Sequence, residues 1–303
     1  MTQRRPSFPA RLDLGKPATP KGATPKLSNP PASVTQGVTT ARGTGTNASR
    51  PSPQVTVAGP GRHVKPPPAT PSGLGLDSAA VRAGMVRKLA AQGVSDPQVL
   101  AAMGQVERHR FVDSALVIQA YEDTSLPIGL GQTISKPNVV ARMIELLLAA
   151  PGRRIGAASG QPLPPSLPLM GRVLEIGTGC GYQAAVLACV SREVYSIERL
   201  RGLHDKARDN LRPLRIPNIH LLFGDGMVGY PTGAPYAGII AAAGGEAVPQ
   251  AWIDQLAEGG RLVAPTVMEG GRQALVVIDR TSAGLVRNVL EAVHFVPLKS
   301  GTA

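Results

Sequence analysis

Short apolar runs and amphipathic segments alternate through residues 172–279, and this alternation is the feature that most constrains the fold. Each apolar run is four to six residues long. Short runs that are apolar throughout are typical of strands covered on both faces. The predicted strands are residues 172–176, 193–197, 220–223, 238–241, 262–265 and 274–279, and the predicted helices between them are residues 182–190, 200–211 and 249–256. The pattern predicts an α/β fold with a mostly parallel sheet between layers of helices.

The ends of this region depart from the alternation. Residues 285–296 form another β-rich run, which follows the strand at 274–279 after a short turn without a helix. Strands joined by so short a turn pair antiparallel. We therefore expect a doubly wound, mostly parallel sheet of seven strands with an antiparallel edge strand. Ahead of the sheet, apolar spacing at residues 81–92, and Asp96-Pro97 as a helix start, predict an N-terminal helical segment.

The first 75 residues differ in composition from the rest of the chain. They contain 14 of the 29 Pro residues and ten of the 32 basic residues, but one of the 20 acidic residues. Such a stretch buries too little apolar surface to offset an ordering cost of about 1–2 kcal/mol per residue. We predict a disordered, basic, Pro-rich tail at residues 1–75 and one domain at residues 76–303. Its charge leaves salt-dependent nucleic-acid binding by the tail as an alternative.

Four classes of protein do not fit the sequence: membrane-spanning, secreted, disulfide-stabilised and metal-binding proteins. The longest apolar stretches, at residues 146–150 and 238–243, fall far short of the ~20 residues of a transmembrane helix. No hydrophobic core of a secretory signal follows the basic N-terminus. Cys180 and Cys189 are too few for a disulfide framework, and the five histidines show no metal-binding spacing. We expect a soluble cytoplasmic protein without a metal or a membrane partner.

The most informative local motif is VLEIGTGCGY, residues 173–182. A predicted strand runs here into Gly177, Gly179 and Gly181 and then into a helix, which brings backbone amides and the helix N-terminus close to a nucleotide-like ligand. A dinucleotide-binding motif would need Gly where this chain has Tyr182. The G-x-G-x-G spacing therefore favours contact with methionyl and ribosyl groups over a pyrophosphate.

Acidic residues at the ends of the next two strands extend this motif. Glu198 lies 21 residues after Gly177, and its carboxylate is predicted to accept two hydrogen bonds from a ribose diol, each worth about 1.5–3 kcal/mol. Asp225, between Gly224 and Gly226, is predicted to bond an adenine amino group while Gly226 keeps the wall thin. The alternatives are a solvated surface acid at Glu198 and tight turns at the glycines and at Asp225.

The segment AYEDTSLPIGLGQTISKPNVVARMIELL, residues 120–147, resembles the signature of the protein-L-isoaspartate O-methyltransferases, which are S-adenosylmethionine-dependent repair enzymes. Further similarity lies in VLEIGTGCGYQ, in the GDG step and in the strings GGRLVAP, QALVVIDR and FVPL. The resemblance covers residues 80–301 and leaves out the tail. It implies a Rossmann-like methyltransferase fold and S-adenosyl-L-methionine as the cofactor.

The resemblance also implies roles for individual residues. Ser135 is implied to bond the substrate carboxylate at the reacting centre, with Thr133 and Ile134 lining the pocket. The implied cofactor-binding residues are Thr133, Ile134, Glu175, Gly177, Thr178, Gly179, Gly181, Glu198, Asp225, Gly226 and Gln273. The implied substrate-binding residues are Ser135, Phe295, Val296, Pro297 and Leu298. The alternatives are a helix N-cap at Ser135, an exposed strand start at Gln273 and an ordinary edge strand at 295–298.

The activity implied by the resemblance is methyl transfer to the free carboxylate of L-isoaspartyl residues in damaged proteins and peptides. The resulting ester cyclises to a succinimide, which reopens in part to normal aspartate. A carboxyl group with a pKa near about 4 is already ionised at neutral pH, so positioning matters more than acid-base catalysis. The alternative functions are methyl transfer to another acceptor, and nucleic-acid binding by the tail with the methyltransferase-like domain as a scaffold.

Overall fold

A computed structural model of the chain describes residues 79–154 and 169–303. All of the described residues belong to one compact unit, Pro68–Ala303. The predicted tail at 1–75 and its proposed nucleic-acid binding lie outside the described residues.

A seven-stranded sheet forms the centre of this unit. Its strands are β3 (Met170–Ile176), β4 (Ser191–Glu198), β5 (Ile219–Phe223), β6 (Tyr236–Ala241), β7 (Leu256–Val267), β8 (Gln273–Thr281) and β9 (Gly284–Val293). They are ordered β5-β4-β3-β6-β7-β8-β9. The first five strands in this order are parallel, β8 is antiparallel to β7, and β9 is antiparallel to β8 at the sheet edge. The predicted mostly parallel sheet with an antiparallel edge is confirmed.

The strand order creates a crevice beside β3. From β3 the chain moves outward through β4 to β5, and then returns to the other side of β3 to form β6. Connections that leave a strand in opposite directions open a space at its carboxyl end, and open α/β sheets bind ligands there. The fold therefore places a candidate site after Ile176, where the glycine motif begins.

Helices and a small hairpin surround the sheet. The helices are α1 (Ala79–Ala91), α2 (Pro97–Gln105), α3 (Pro137–Leu148), α4 (Pro151–Arg154), α5 (Tyr182–Val190), α6 (Arg201–Leu211) and α7 (Gln250–Gln255). Asp96 caps α2 as predicted, because its side chain accepts hydrogen bonds from the amides of Gln98 and Val99. Strands β1 (Leu126–Gly129) and β2 (Gln132–Ile134) form an antiparallel hairpin that the sequence patterns did not predict, since each is too short for a recognisable alternation.

Two details of the predicted elements are wrong. The last strand ends at Val293 and not at residue 296, so residues 295–298 are not an ordinary edge strand. Helix α3 begins at Pro137 after Lys136, and no side chain caps it, so Ser135 is not its N-cap. Both corrections matter for function, because they leave Ser135 and residues 295–298 outside regular structure at the carboxyl edge of the sheet.

Apolar residues fill both faces of the sheet. On one face, Val173 packs with residues of α1, α2, α3 and α5. On the other face, Leu174 and Ile176 pack with Trp252 of α7, whose indole nitrogen donates a hydrogen bond to the carbonyl of Gly226 at 2.8 Å. In the two described ranges, no helix is long and apolar enough to cross a bilayer.

Candidate active site

A cavity of about 490 Å³ opens at the carboxyl ends of β3, β4 and β6. One wall is the glycine motif, a second is the β1–β2 hairpin and the residues that follow it, and a third is residues 296–299. Most of the predicted site residues meet here: the lining includes Thr133, Ile134, Ser135, Gly177, Thr178, Gly179, Glu198, Gly226, Val296, Pro297 and Leu298. The sequence therefore predicted residues from all three walls.

The glycine motif adopts a backbone that only glycine accepts readily. Gly177, Gly179 and Gly181 have φ values of +91°, +57° and +91°, in the left-handed region that side chains disfavour. Gly177 and Gly179 line the cavity, whereas Gly181 precedes α5, where an added Cβ would lie 3.0 Å from Leu211. Gly181 thus serves the packing of α5 on α6, and the structure does not bring it to the cavity wall.

Glu198 holds the glycine motif against the loop after β4. The side chain is 5% exposed and lines the cavity. One carboxylate oxygen accepts a hydrogen bond from the Gly179 amide and the other from the Leu200 amide, both at 2.9 Å. A carboxylate has about four lone-pair sites, so each oxygen keeps one for a ligand. Glu198 is a buried residue at the cavity, which contradicts the alternative of a solvated surface acid.

In the turn after β5, Gly226 has the predicted position at the cavity wall and Asp225 does not. Gly226 lines the cavity, and a Cβ there would lie 2.6 Å from Ile176, so glycine keeps this wall thin as predicted. Asp225 is not among the lining residues. Its carboxylate accepts hydrogen bonds from the amides of Met227 at 2.8 Å and Gly301 at 2.6 Å. The carboxylate of Asp225 therefore joins the turn after β5 to a residue far along the chain.

Two cations hold the hairpin wall and the chain that leads into it. Arg108 is fully buried; its Nε donates to the carbonyl of Ala120 at 2.8 Å, and its guanidinium lies 4.8 Å from the ring centre of Tyr182. Burial lowers the pKa of Arg108, while the neighbouring Tyr182 opposes that effect. Lys206 donates to the carbonyl of Ile128 in β1 at 2.9 Å. Arg108 thus holds the chain ahead of the hairpin and Lys206 holds β1 itself, and Ser135 immediately follows β2.

Gln273 and Phe295 support the third wall without lining the cavity. The side-chain amide of Gln273 donates to the carbonyl of Phe295 at 3.2 Å, and its oxygen accepts from the Phe295 amide at 2.7 Å. Phe295 itself is buried. Gln273 is thus a clamp for the segment that continues into the wall, and neither an exposed strand start nor a cavity-lining residue.

Glu175 lies beneath the cavity floor. It is fully buried and accepts a hydrogen bond from Ser196, whose hydroxyl is 2.6 Å from that of Thr178 in the cavity lining. Burial raises the pKa of Glu175 from 4.5 to about 8, although the Ser196 hydrogen bond opposes the rise, and the negative charge of Glu198 adds to it. The structure thus places Glu175 next to a lining residue and not at the cavity wall.

The raised pKa of Glu175 predicts a pH dependence of stability. Between about pH 4.5 and 8 the folded chain keeps a proton that the unfolded chain has lost, so the free energy of unfolding falls as pH rises, by up to about 1.4 kcal/mol per pH unit. We expect Glu175→Gln to remove this slope. Urea unfolding at pH 5, 6.5 and 8 measures it, with Glu193→Gln on β4 as the control. Equal slopes in wild type and Glu175→Gln would contradict the prediction.

Several lining residues were missed by the sequence reasoning. They are Ile128, Leu130, Gly131, Gln132, Val140, Ile176, Cys180, Tyr182, Gln183, Ile197, Arg199, Leu200, Leu203, Ala242, Ala243 and Lys299. Ala242 and Ala243 directly follow β6, so the rule that parallel strands end at one edge would have found them. The sequence carries no comparable local signal for Leu200 or Lys299. Among the described residues, no group of three or more His, Cys, Asp or Glu side chains is arranged to hold a metal ion.

Comparison with known proteins decides the family. The profile described as protein-L-isoaspartate(D-aspartate) O-methyltransferase (PCMT) matches residues 80–162 and 165–303. This chain belongs to that family. A protein-L-isoaspartate O-methyltransferase of Methylibium petroleiphilum is 56% identical over 299 residues, which cover 98% of this chain and 97% of the relative. One of Leptothrix cholodnii is 58% identical over 238 residues, covering 78% and 79% of the two chains. The family membership that the resemblance implied is confirmed.

Solved structures of the family have the same fold. A protein-L-isoaspartate O-methyltransferase superposes with a TM-score of 0.61 at 30% identity, covering 72% of this chain and 66% of its own. A putative family member from Plasmodium falciparum, solved in complex with S-adenosyl-L-homocysteine, superposes with a TM-score of 0.57 at 24% identity, over 72% of this chain and 98% of its own. At that identity the second likeness shows the fold alone, and it confirms the predicted Rossmann-like class.

Proposed function

We propose that this chain transfers a methyl group from S-adenosyl-L-methionine to the free carboxylate of L-isoaspartyl residues in damaged proteins and peptides. The observation that carries the proposal is that the family match spans both the glycine motif with Glu198 and the Gln132–Ile134 strand with Ser135, and that one cavity joins these elements. Its immediate product is a methyl ester, which cyclises to a succinimide and reopens in part to aspartate. The partners are therefore proteins that contain isoaspartate.

The cavity residues fit this cofactor. Glu198 has unused lone pairs for a ribose diol, and thin walls at Gly177, Gly179 and Gly226 allow close approach of a flat or extended group. Ile176 and Ile197 add an apolar lining suited to a purine ring. When bound, S-adenosylmethionine supplies a methyl group on a positively charged sulfur. The remaining task of the chain is to hold an acceptor carboxylate in line with that group.

We assign this positioning to Ser135. Its place directly after β2, on the lining of the cavity and free of an N-cap role, lets its hydroxyl donate a hydrogen bond to one carboxylate oxygen. Residues 296–298 belong to the third wall and are proposed to contact the peptide on either side of the isoaspartyl residue. Because an isoaspartyl carboxylate is ionised at neutral pH, alignment contributes most, and well-oriented reactants gain on the order of 7–11 kcal/mol.

Two peptides that differ only in Asp against isoAsp test the proposed activity. Each is incubated with the chain and S-adenosylmethionine labelled in the methyl group, and base-labile methyl ester is counted. We expect the isoAsp peptide to be methylated and the Asp peptide to stay at background. Equal labelling of both peptides, or of neither, would contradict the proposal. The same assay with a chain that starts at residue 76 tests the domain boundary, and we expect its activity to be retained.

The basic composition of residues 1–75 favours one second function, which is weak binding of a polyanion. Comparing polyanion binding by the full chain and by the chain from residue 76 separates this function from methyl transfer. We also propose the cytoplasm as the compartment. Cys180 and Cys189 are both free thiols, and a reducing compartment keeps cysteines in that state.

A further inference from the structure

Residues 296–303, here called the closing segment, cross the carboxyl edge of the sheet. At its start, the Gly244 amide donates to the carbonyl of Val296 at 2.9 Å, and the Leu298 amide donates to the carbonyl of Gly244 at 2.8 Å. Gly244 belongs to the loop after β6. Phe295, just ahead of the segment, is buried and clamped by Gln273. This first end is therefore firmly anchored.

The far end of the closing segment is attached on the other side of β3. The Ala303 amide donates to the carbonyl of Arg199 at 2.8 Å, and the Arg201 amide donates to the carbonyl of Ala303 at 2.7 Å. The Arg199 side chain adds a bond to the carbonyl of Gly301 at 2.9 Å. Arg199 directly follows β4. Finally, the Gly301 amide donates to Asp225, which lies after β5, at 2.6 Å.

The strand order shows that the closing segment passes over the cavity. Because the sheet runs β5-β4-β3-β6, a segment attached after β6 at one end and after β4 and β5 at the other must pass the carboxyl end of β3. The glycine motif and the cavity lie at that end. Residues 296–299 line the cavity, and so does Arg199, to which the far end is bonded.

The two ends differ in how easily they open. Residues 301–303 are all exposed, and the bond between Gly301 and Asp225 is open to solvent, whereas Phe295 and Gly244 are buried. Local opening concentrates where few apolar contacts are lost and hydrogen bonds are exchanged with water. The far end is thus the part of the segment that releases first.

We infer that the closing segment is a latch over the cofactor cavity, and that Asp225 is a positioning residue that fastens it. The inference rests on the proposed cofactor. Release of the far end lets residues 299–303 move away from Arg199 and opens the cavity, so that S-adenosylmethionine enters and S-adenosylhomocysteine leaves; with the far end fastened, Lys299 and Arg199 stay against the bound ligand. The carboxylate of Asp225 serves this function by joining the loop after β5 to Gly301.

Gly301→Pro tests the latch directly. Proline has no amide hydrogen for Asp225 and cannot adopt the φ of +73° at this position, so the far end is expected to detach. We expect the dissociation rate of S-adenosylhomocysteine, followed by displacement with excess S-adenosylmethionine, to rise at least tenfold. Single-turnover methylation of the isoAsp peptide is expected to stay within about threefold of wild type.

Gly270→Pro is the matched control. Gly270 also has a positive φ, +86°, and open space at its Cβ position, but it lies in the turn between β7 and β8. The dissociation rate of S-adenosylhomocysteine from Gly270→Pro is expected to equal that from wild type. An unchanged rate in Gly301→Pro, or the same increase in both variants, overturns the latch.

A double-variant comparison tests the part assigned to Asp225. If Asp225 acts through Gly301, Asp225→Ala raises the dissociation rate as Gly301→Pro does, and the two changes together produce no further increase. If Asp225 instead acts on the ligand alone, the two effects multiply, and the fastening role is wrong. Failure of wild type to bind S-adenosylhomocysteine at all would overturn the proposed cofactor and the latch together, whereas binding with an unchanged rate in Gly301→Pro overturns the latch only.

Discussion

Ser135→Ala is expected to lower kcat for the isoAsp peptide about 10²-fold and to leave the Kd for S-adenosylhomocysteine within about threefold of wild type. The serine lines the cavity next to β2 and does not cap α3, so its loss removes the proposed substrate contact without removing a helix cap. A slight misplacement of reacting groups is enough for a loss of this size. Steady-state kinetics with both peptides, together with calorimetric titration of S-adenosylhomocysteine, measure the two quantities.

Two further variants make this result specific. Ser135→Thr keeps a hydroxyl and is expected to recover part of the lost kcat. Ser282→Ala changes an exposed serine in the turn between β8 and β9 and is expected to match wild type. If Ser135→Ala keeps full kcat, Ser135 does not position the carboxylate. An equal loss of cofactor affinity and kcat would instead make it a cofactor-binding residue.

Glu198→Ala is expected to raise the Kd for S-adenosylhomocysteine about 10²-fold. The change removes the proposed acceptor for a ribose diol, where each charge-assisted bond contributes about 1.5–3 kcal/mol. It also leaves the amides of Gly179 and Leu200 without their present acceptor, so the glycine motif loosens. Glu198→Gln keeps one side-chain oxygen and is expected to lose less affinity.

The control for this prediction lies on the same strand. Glu193 is partly buried on β4, does not line the cavity and pairs with Arg172, so Glu193→Gln is expected to bind S-adenosylhomocysteine as wild type does. Urea unfolding of each variant shows whether lost affinity reflects the site or the stability of the fold. A Kd for Glu198→Ala within threefold of wild type would exclude Glu198 as a principal cofactor ligand.

Local sequence patterns predicted the strands and helices of the sheet more completely than the residues that line the cavity. Helix α5 has the predicted bounds of residues 182–190, and every predicted strand of the sheet has a counterpart. The positive φ values at Gly177 and Gly179 explain why glycine spacing was informative, since few other residues accept them. The β1–β2 hairpin was missed because strands of four and three residues carry no readable alternation.

Five predicted site residues lie at the predicted end of the sheet but do not make the predicted contact with the cavity. Glu175, Gly181, Asp225, Gln273 and Phe295 all lie close to the cavity without lining it. Strand and turn positions specify which end of the sheet a residue occupies. They do not specify whether its side chain reaches the cavity or bonds to a neighbouring segment, as the carboxylate of Asp225 does with Gly301. That choice depends on contacts between distant parts of the chain.

The amino-acid sequence by itself determined the succession of strands and helices along the chain, the glycine turn after β3 and the acid at the end of β4, because each depends on periodicity or on backbone conformation within a few residues. The tertiary structure alone decided that residues 296–303 cross the sheet edge and that Asp225 meets Gly301, 76 residues away. The physical reason is that strand order, and not local propensity, determines which loops become neighbours at the carboxyl edge of a sheet.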